Sequence, residues 1–534
     1  MYLKEIKENK ICILLFFSFF FLCFNDIPSI LQLNTVSGGF AIKASWYPLF
    51  VLLICGIMKL KKSDSDFICI RILRFIGVYL LFIFIGDVIG LISLPYYQDI
   101  VHGPRDQIAK LPYILNVLHT VGINISSERL TYIWFIVRIL KNSILTVIYT
   151  FGFSFILYYF IRLDIDKSYE ILKKAIYCSL IVILGYSCIE IFYLAGNSVA
   201  KNLLANITPF VHDLYTNGRH YPPLFWYNTQ MRSIFIEPSH FGIYSAFVMP
   251  LLWINIFKGK NPLFWMSTTC LLMFFVFMTK ARTATILVLG EEFLFFFLFF
   301  CFSGKRFIRP IIKLVAVTGF SMVLAVGFIA KLEAPVAFQL ENKQGTPASV
   351  QSYIENNITS VSGTTRRSNN SRYSIYITNW NIGKEAPLIG VGYGLNSLYF
   401  TSYIPEDMVR GNQEIANWRK EIQKYGLMKF SIANIGEYIT LFSQTGIIGL
   451  IIFMVPWLIP IILLLKKMKK EKSMDKRMDY ICLYTTFIGV IISGFGDNLR
   501  IFYIPWVVLA FVWSVLYQGI KGDSDESNNC DSNN

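Results

Sequence analysis

Arg232, Glu237 and His240 fall within nine residues of one another in Met231-Arg-Ser-Ile-Phe-Ile-Glu-Pro-Ser-His-Phe-Gly242. A guanidinium can grip an anion bidentately, and a carboxylate or an imidazole can move a proton. Pro238 suits the first turn of a helix, where its missing N–H is no loss. Glu237 then precedes the positive end of that helix, and either caps it or serves a site. Lys280 and Arg282 lie in the very short turn Thr279-Lys-Ala-Arg-Thr283. Such a pair suits an anion such as a pyrophosphate, or it snorkels from a helix end. Arg366, Arg367 and Arg372 form a third group, in a stretch where Glu355 is the one acid between Lys343 and Lys384. They are either a solvated cluster or a binding surface. A fourth group holds Asn434 and Glu437, with Asp497 and Arg500 further on; these read as candidates for a site, a helix cap or an ion pair.

The elements that must position these residues are apolar. The chain of 534 residues is 54% hydrophobic and 16% charged, against about 25% charged in soluble domains. A helix needs roughly 20 apolar residues to span a bilayer. Twelve segments qualify: 9–32, 40–58, 72–94, 135–160, 175–195, 240–257, 262–279, 283–302, 311–330, 434–465, 479–495 and 501–518. The first, the fourth (with Arg138 and Lys141) and the eighth (with Glu291 and Glu292) are the weakest. The expected fold is therefore all-α and polytopic. Helices one to nine occupy 1–330, a large loop 331–430, helices ten to twelve 431–518, and a polar, disordered tail 519–534.

Basic residues orient the bundle. With the N-terminus inside, the inside segments hold 26 Lys and Arg and the short outside segments nine, as the positive-inside rule requires. Both termini are then cytoplasmic and the large loop is outside. Within that loop 341–370 reads as irregular, Tyr373–Trp380 as a turn or two of helix, Pro387–Gly394 as a Gly-punctuated tight turn, and Asn412–Lys424 as a helix. Long loops of this kind often carry function.

Several function classes are excluded. The net charge of +15 is scattered between apolar runs, so it makes no nucleic-acid patch. The ten cysteines include no CxxC pair, which argues against a disulfide framework or a zinc site. Asp64-Ser-Asp66 and Asp164-Ile-Asp166 resemble metal-binding DxD pairs but lie in short turns. There is no P-loop, HExxH or nucleophile elbow.

Three of the four groups together resemble the O-antigen polymerase and ligase superfamily. Phe235-Ile-Glu-Pro-Ser-His-Phe-Gly242 is similar to its F-x-E-P-S-x-x-G segment, and Lys280-Ala-Arg282 to the basic turn two helices later. Arg372, Trp380 and Pro387-Leu-Ile-Gly-Val-Gly-Tyr-Gly394 match the R…W…P-L-x-G-x-G-x-G block of the large loop. Gln444-Thr-Gly-Ile-Ile-Gly-Leu450 matches E-x-G-x-x-G-L at the start of the next helix. The match spans about 230–455; the first five helices agree only in hydropathy.

The resemblance implies a GT-C-like glycosyltransferase of the bacterial plasma membrane. Its donor is an oligosaccharide on undecaprenyl pyrophosphate, with no nucleotide sugar and, in the ligase branch, no metal or other cofactor. A polymerase passes the growing glycan to a hydroxyl of the next lipid-linked repeat unit of an O-antigen, capsule or exopolysaccharide. A chain-length regulator is a possible protein partner. Arg232, Arg282 and Arg372 are then first candidates for the pyrophosphate, with Lys280, Arg366 and Arg367 beside them. Glu237 is the first candidate base, His240 the second and Glu437 the third. Ligases of this family carry a His near the end of the large loop. Residues 425–440 have none and no His follows His240, which favours polymerase over ligase. A flippase or transporter of lipid-linked sugars is the non-enzyme alternative, although the candidates cluster at one face and transport sites lie near the midplane.

Overall fold

A backbone in hydrocarbon must satisfy its own N–H and C=O groups, and a helix does so within one segment. The chain follows that rule. The computed structural model describes residues 2–33, 38–60, 67–104, 107–212, 230–259, 261–303, 307–339, 367–429, 432 and 434–531. Its main helices are α1 (Tyr2–Phe20), α2 (Trp46–Leu60), α3 (Phe67–Ile92), α4 (Ser127–Val147, continued through a π turn to Ile161), α5 (Ile165–Leu194), α6 (Pro238–Lys258), α7 (Pro262–Met278), α8 (Arg282–Ser303) and α9 (Ile308–Gln339). The large loop contributes α10 (Arg367–Glu385), α11 (Asn396–Tyr403) and α12 (Gln413–Tyr425). The chain closes with α13 (Glu437–Lys470), α14 (Met474–Gly496) and α15 (Ile504–Asp531). Among the described residues there is no strand.

Eight of these helices are long and apolar enough to cross a membrane. Four shorter apolar helices, Lys10–Cys23, Trp46–Lys59, Pro262–Met278 and Ile504–Tyr517, fall on the other four expected segments. The protein is an all-α polytopic membrane protein. The weak segments have local explanations. α4 begins earlier than expected, at Ser127, where the Ser126 hydroxyl accepts from the Arg129 N–H at 3.3 Å. Its Arg138 donates to the Met428 carbonyl at 2.8 Å. The two acids of α8 face the interior: Glu292 accepts from the Thr318 hydroxyl at 2.9 Å, and Glu291 lies flat against Gly489 of α14. Membrane acids turned inward avoid the lipid. α15 runs on as helix through the polar residues after 519, where the sequence predicts no regular structure.

α6 is the centre of the bundle, buried on nearly every side. It packs on α7, α8 and α14. The described part of the large loop, from Arg367 on, is more helical than its sequence suggests. α10 extends well beyond Tyr373–Trp380, and α12 is capped by Asn412, whose side chain accepts from the Glu414 N–H at 2.9 Å. The loop has a core of its own, in which Ile375, Ile382, Leu398 and Ile422 pack with Ile100, Leu111, Leu130 and Phe135 from the 94–139 stretch. The part from Arg367 to Ile432 is thus seated on the 94–139 stretch by burial. The end of the bundle that carries it is called the loop end below.

Candidate functional site

The glycine motifs explain how the loop is fixed to the bundle. α13 is broken at Gly446, whose φ of 63° and ψ of −169° no side-chain-bearing residue adopts readily. The break frees backbone groups inside an apolar helix, and the Pro387–Gly394 turn takes them up. Val391 and Gly392 donate to the carbonyls of Ser443 and Gln444 at 3.0 Å each, and Ile447 donates to Pro387 at 2.9 Å. A Cβ at Gly390 would collide with the Gln444 backbone. Two motifs about 50 residues apart are therefore halves of one backbone joint.

Beneath this joint lies a polar network. The Arg500 Nε stands 2.5 Å from a Glu437 carboxylate oxygen, and Arg500 Nη1 donates to Gln444 at 2.9 Å. Gln444 donates to Asn396 at 2.8 Å, and Asn396 donates to Asn379 and Asn434 at 3.0 Å each. The guanidinium also sits over the Tyr393 ring, 4.9 Å from its centroid. Burial alone would lower the Arg500 pKa, but the Glu437 carboxylate outweighs it and raises it above its ordinary value. Glu437 is fully buried.

The Phe235–Gly242 segment opens α6 at the loop end. Glu237 is the N-cap residue of α6, but its carboxylate makes no capping hydrogen bond to the backbone. Among the described residues it accepts only a long bond of 3.4 Å from Ser239. The Glu237 side chain therefore does not do the capping that the sequence allows for. His240 sets its ring edge-on against Phe502 at 4.7 Å, and its Nδ1 has no hydrogen-bond partner among the described residues. Gly242 lies so close to Ala284 that any Cβ would overlap it. That contact brings the starts of α6 and α8 together, and with them His240 and the Lys280–Arg282 turn.

The turn between α14 and α15 gathers the rest. Arg372 of α10 donates from Nη1 to the Gly496 carbonyl at 2.8 Å. Thr283, next to Arg282, packs on Gly496 from α8. Asp497 follows: burial pushes its carboxyl above the usual range, His240 and Arg372 pull it back, and Glu237 adds to the rise. Its carbonyl accepts from the Glu437 N–H at 3.1 Å. The Asp497 Oδ2 has no hydrogen-bond partner among the described residues. A carboxylate, an imidazole and guanidinium-bearing helices from four parts of the chain thus meet at one point of the loop end.

The other candidates lie apart from that point or outside view. Arg232 is buried, and its guanidinium donates to the Ile236 carbonyl at 3.3 Å within its own segment. Next to it His212 is pushed down to about 3, by burial first and by the Arg232 charge second. Lys280 occupies the turn with a φ of 51°. Arg367 opens α10, and Arg366 lies outside the described residues. Glu437 belongs to the buried network, where its charge is committed to Arg500. A cavity of about 180 Å³ lined by Tyr169, Lys476, Asp479 and Phe511 sits at the opposite end of the bundle, and none of the candidates lines it.

One residue is missing from the sequence reading: Glu190 of α5. Its carboxylate accepts from the backbone N–H groups of Arg232 and Ser233 at 3.1 and 2.7 Å. The signal was an acid within an apolar run, which is a functional candidate by default.

A family model described as O-antigen ligase matches residues 267–454, from α7 into α13. The matched stretch includes the basic turn, α10, the Gly turn and the broken start of α13. No curated protein matches the chain.

Proposed function

We propose, from the family model described as O-antigen ligase that matches residues 267–454, that the chain is a member of the O-antigen polymerase and ligase superfamily and a repeat-unit polymerase drawing on glycans carried on undecaprenyl pyrophosphate. The coarser description stands on the family and the helices: an integral membrane enzyme of O-antigen ligase and polymerase type. The observation that carries the finer reading is the convergence at Asp497, where Glu237 and His240 of α6 meet Arg372 of α10. With the large loop on the outer face, this is where lipid-linked sugars would be met.

In the proposed reaction the bond between the donor's anomeric carbon and its phosphate oxygen breaks. A new bond forms from that carbon to a hydroxyl of the acceptor repeat unit. The electron pair leaves on undecaprenyl pyrophosphate, and the hydroxyl proton passes to a base. Charge developing on the pyrophosphate is what fixed guanidinium groups stabilise, and bidentate geometry favours Arg over Lys. Arg372 and Arg282 fit that role. Arg232 supports it from beneath, since its guanidinium holds the carbonyl just before Glu237. Glu237, with no capping bond to commit it, and His240, whose Nδ1 has no hydrogen bond among the described residues, are the candidate bases. Glu437 is the weaker choice because its carboxylate is engaged by Arg500.

The description of the matched model favours a second reading, ligase; the absence of a His in 425–440 speaks against it. Purified protein in detergent, given lipid-linked repeat units alone, separates the readings. A polymerase builds a ladder of chain lengths. Transfer that occurs only when a different acceptor is added would identify a ligase, and no transfer to either would leave the flippase reading.

A further inference from the structure

The matched family segment starts at residue 267, yet the two preferred bases, Glu237 and His240, lie upstream of it, on a segment that must be held in place by something else. That something is α5. Glu190 is fully buried and presents one carboxylate oxygen to each of two consecutive N–H groups, those of Arg232 and Ser233. Successive N–H groups that converge on one anion form a backbone nest. Ser233 has a φ of 56°, a left-handed conformation that costs a non-glycine residue energy unless its surroundings hold it. Its surroundings do. The Ser187 hydroxyl, one turn before Glu190, donates to the Ser233 hydroxyl at 2.8 Å, and that hydroxyl donates to the Ile183 carbonyl at 3.3 Å. From this anchor the segment runs three residues to Ile236, whose carbonyl the Arg232 guanidinium holds, and then to Glu237 and His240.

We infer that Glu190 is a positioning residue: by clamping the Arg232 and Ser233 N–H groups it sets where Glu237 and His240 stand against Arg372 and Asp497. The inference rests on the polymerase reading for its kinetic consequence and not for its geometry. A carboxylate is required because both N–H groups need an acceptor. A Gln would offer one acceptor oxygen and turn an NH₂ group toward the second N–H.

The test uses the full-length chain in detergent. Glu190→Gln is expected to lower kcat about tenfold while KM moves less than about twofold, since substrate-gripping residues are untouched. A structural lesion would reduce kcat in the same way, so the deciding measurement is a double-mutant cycle. Combined with Glu237→Gln or with His240→Ala, Glu190→Gln should cost less than the product of the single effects for at least one partner. Fully multiplicative losses with both partners would overturn the inference. A second readout is independent of activity: labelling of an Ile236→Cys variant by an impermeant maleimide, counted above the reactivity of the native cysteines. Adding Glu190→Gln should speed that labelling several-fold, and an unchanged rate would overturn the inference. If wild-type protein does not elongate lipid-linked repeats, the polymerase reading fails and the labelling still decides the role of Glu190. If Glu190→Gln gives no monodisperse protein, Ser187→Ala is read by the same cycle and the same labelling. It should show smaller changes in the same directions, and no change would overturn the inference.

Discussion

Two charged regions lie side by side at the loop end, three residues apart in the chain, and they are built differently. Around Arg500 the charge is spent internally: on Glu437, on Gln444 and on the face of Tyr393. Around Asp497 it is not. Arg500 Nη2 and Asp497 Oδ2 are alike buried with no hydrogen bond among the described residues, but only Arg500 has a close ion pair; Asp497, His240 and Glu237 form none among those residues, and Glu237 makes no backbone cap. Buried polar groups in native proteins are normally paired, and each exception needs a reason. The contrast suggests a division of labour. The Arg500 region holds the large loop on α13, and the Asp497 region keeps groups in reserve for a ligand.

The comparison is most easily broken at Arg500. Arg500→Ala would leave Glu437 charged and buried without its partner, a change that costs about 3–5 kcal/mol in buried pairs. The expected outcome is loss of monodisperse protein on gel filtration, with activity failing only because the fold does. Full recovery of folded but inactive protein would move Arg500 from the structural region into the site.

Arg372→Ala should behave in the opposite way. Arg372 is only partly buried and donates one bond to the Gly496 carbonyl, so the fold should survive. Removing one fixed charge-stabilising donor typically costs about 10²–10³ in rate, so long chains should disappear from a ladder assay. Arg372→Lys should not restore them, because a point charge does not reproduce a planar fork. A full ladder from Arg372→Ala would remove the loop from the reaction.

Gly446→Ala sharpens the structural side. The new Cβ would overlap the Leu388 backbone, in a conformation that side chains rarely adopt. The backbone strain alone is worth about 1–3 kcal/mol, and a drop in thermal stability should follow, with KM disturbed only through displacement of the loop.

These features differed in how far the sequence reveals them. Hydropathy finds the helices because lipid leaves the backbone few alternatives, and the spacing of Asn412 ahead of an amphipathic run foretells α12. Even α8, with Glu291 and Glu292 in its middle, lies where an apolar run of that length must. The joint between Pro387–Gly394 and Gln444–Ile448 is another matter. The motif around Gly446 is visible in the sequence, but that Gly446 breaks the helix depends on a partner backbone at Leu388, 58 residues away. Asn379 and Asn396 carry no signal until the fold stacks them with Gln444. Glu190 was within reach as a lone acid in an apolar run. Its partners are main-chain N–H groups, which leave no side-chain signature.

The smallest expected effect concerns Asp497 and tests whether its region is held at a cost. Its carboxyl is raised by burial first, with His240 and Arg372 only partly offsetting that. A raised acid favours the folded state most fully below the ordinary aspartate range. That contribution is lost as pH rises through the folded-state value. At neutral pH, then, the raised Asp497 carboxyl weighs against folding. Asp497→Asn should therefore raise the melting temperature at pH 7–8, by no more than about 2 °C in a chain of this length. The gain should shrink as pH is lowered through 5 toward 4. Elongation should fall at the same time, because the neutral amide no longer draws His240 and Arg372 together. A more stable, less active variant is the pattern expected where a site holds groups for a ligand at the expense of its own stability. A variant that is both less stable and less active would instead join Asp497 to the Arg500 region, and the contrast between the two would dissolve.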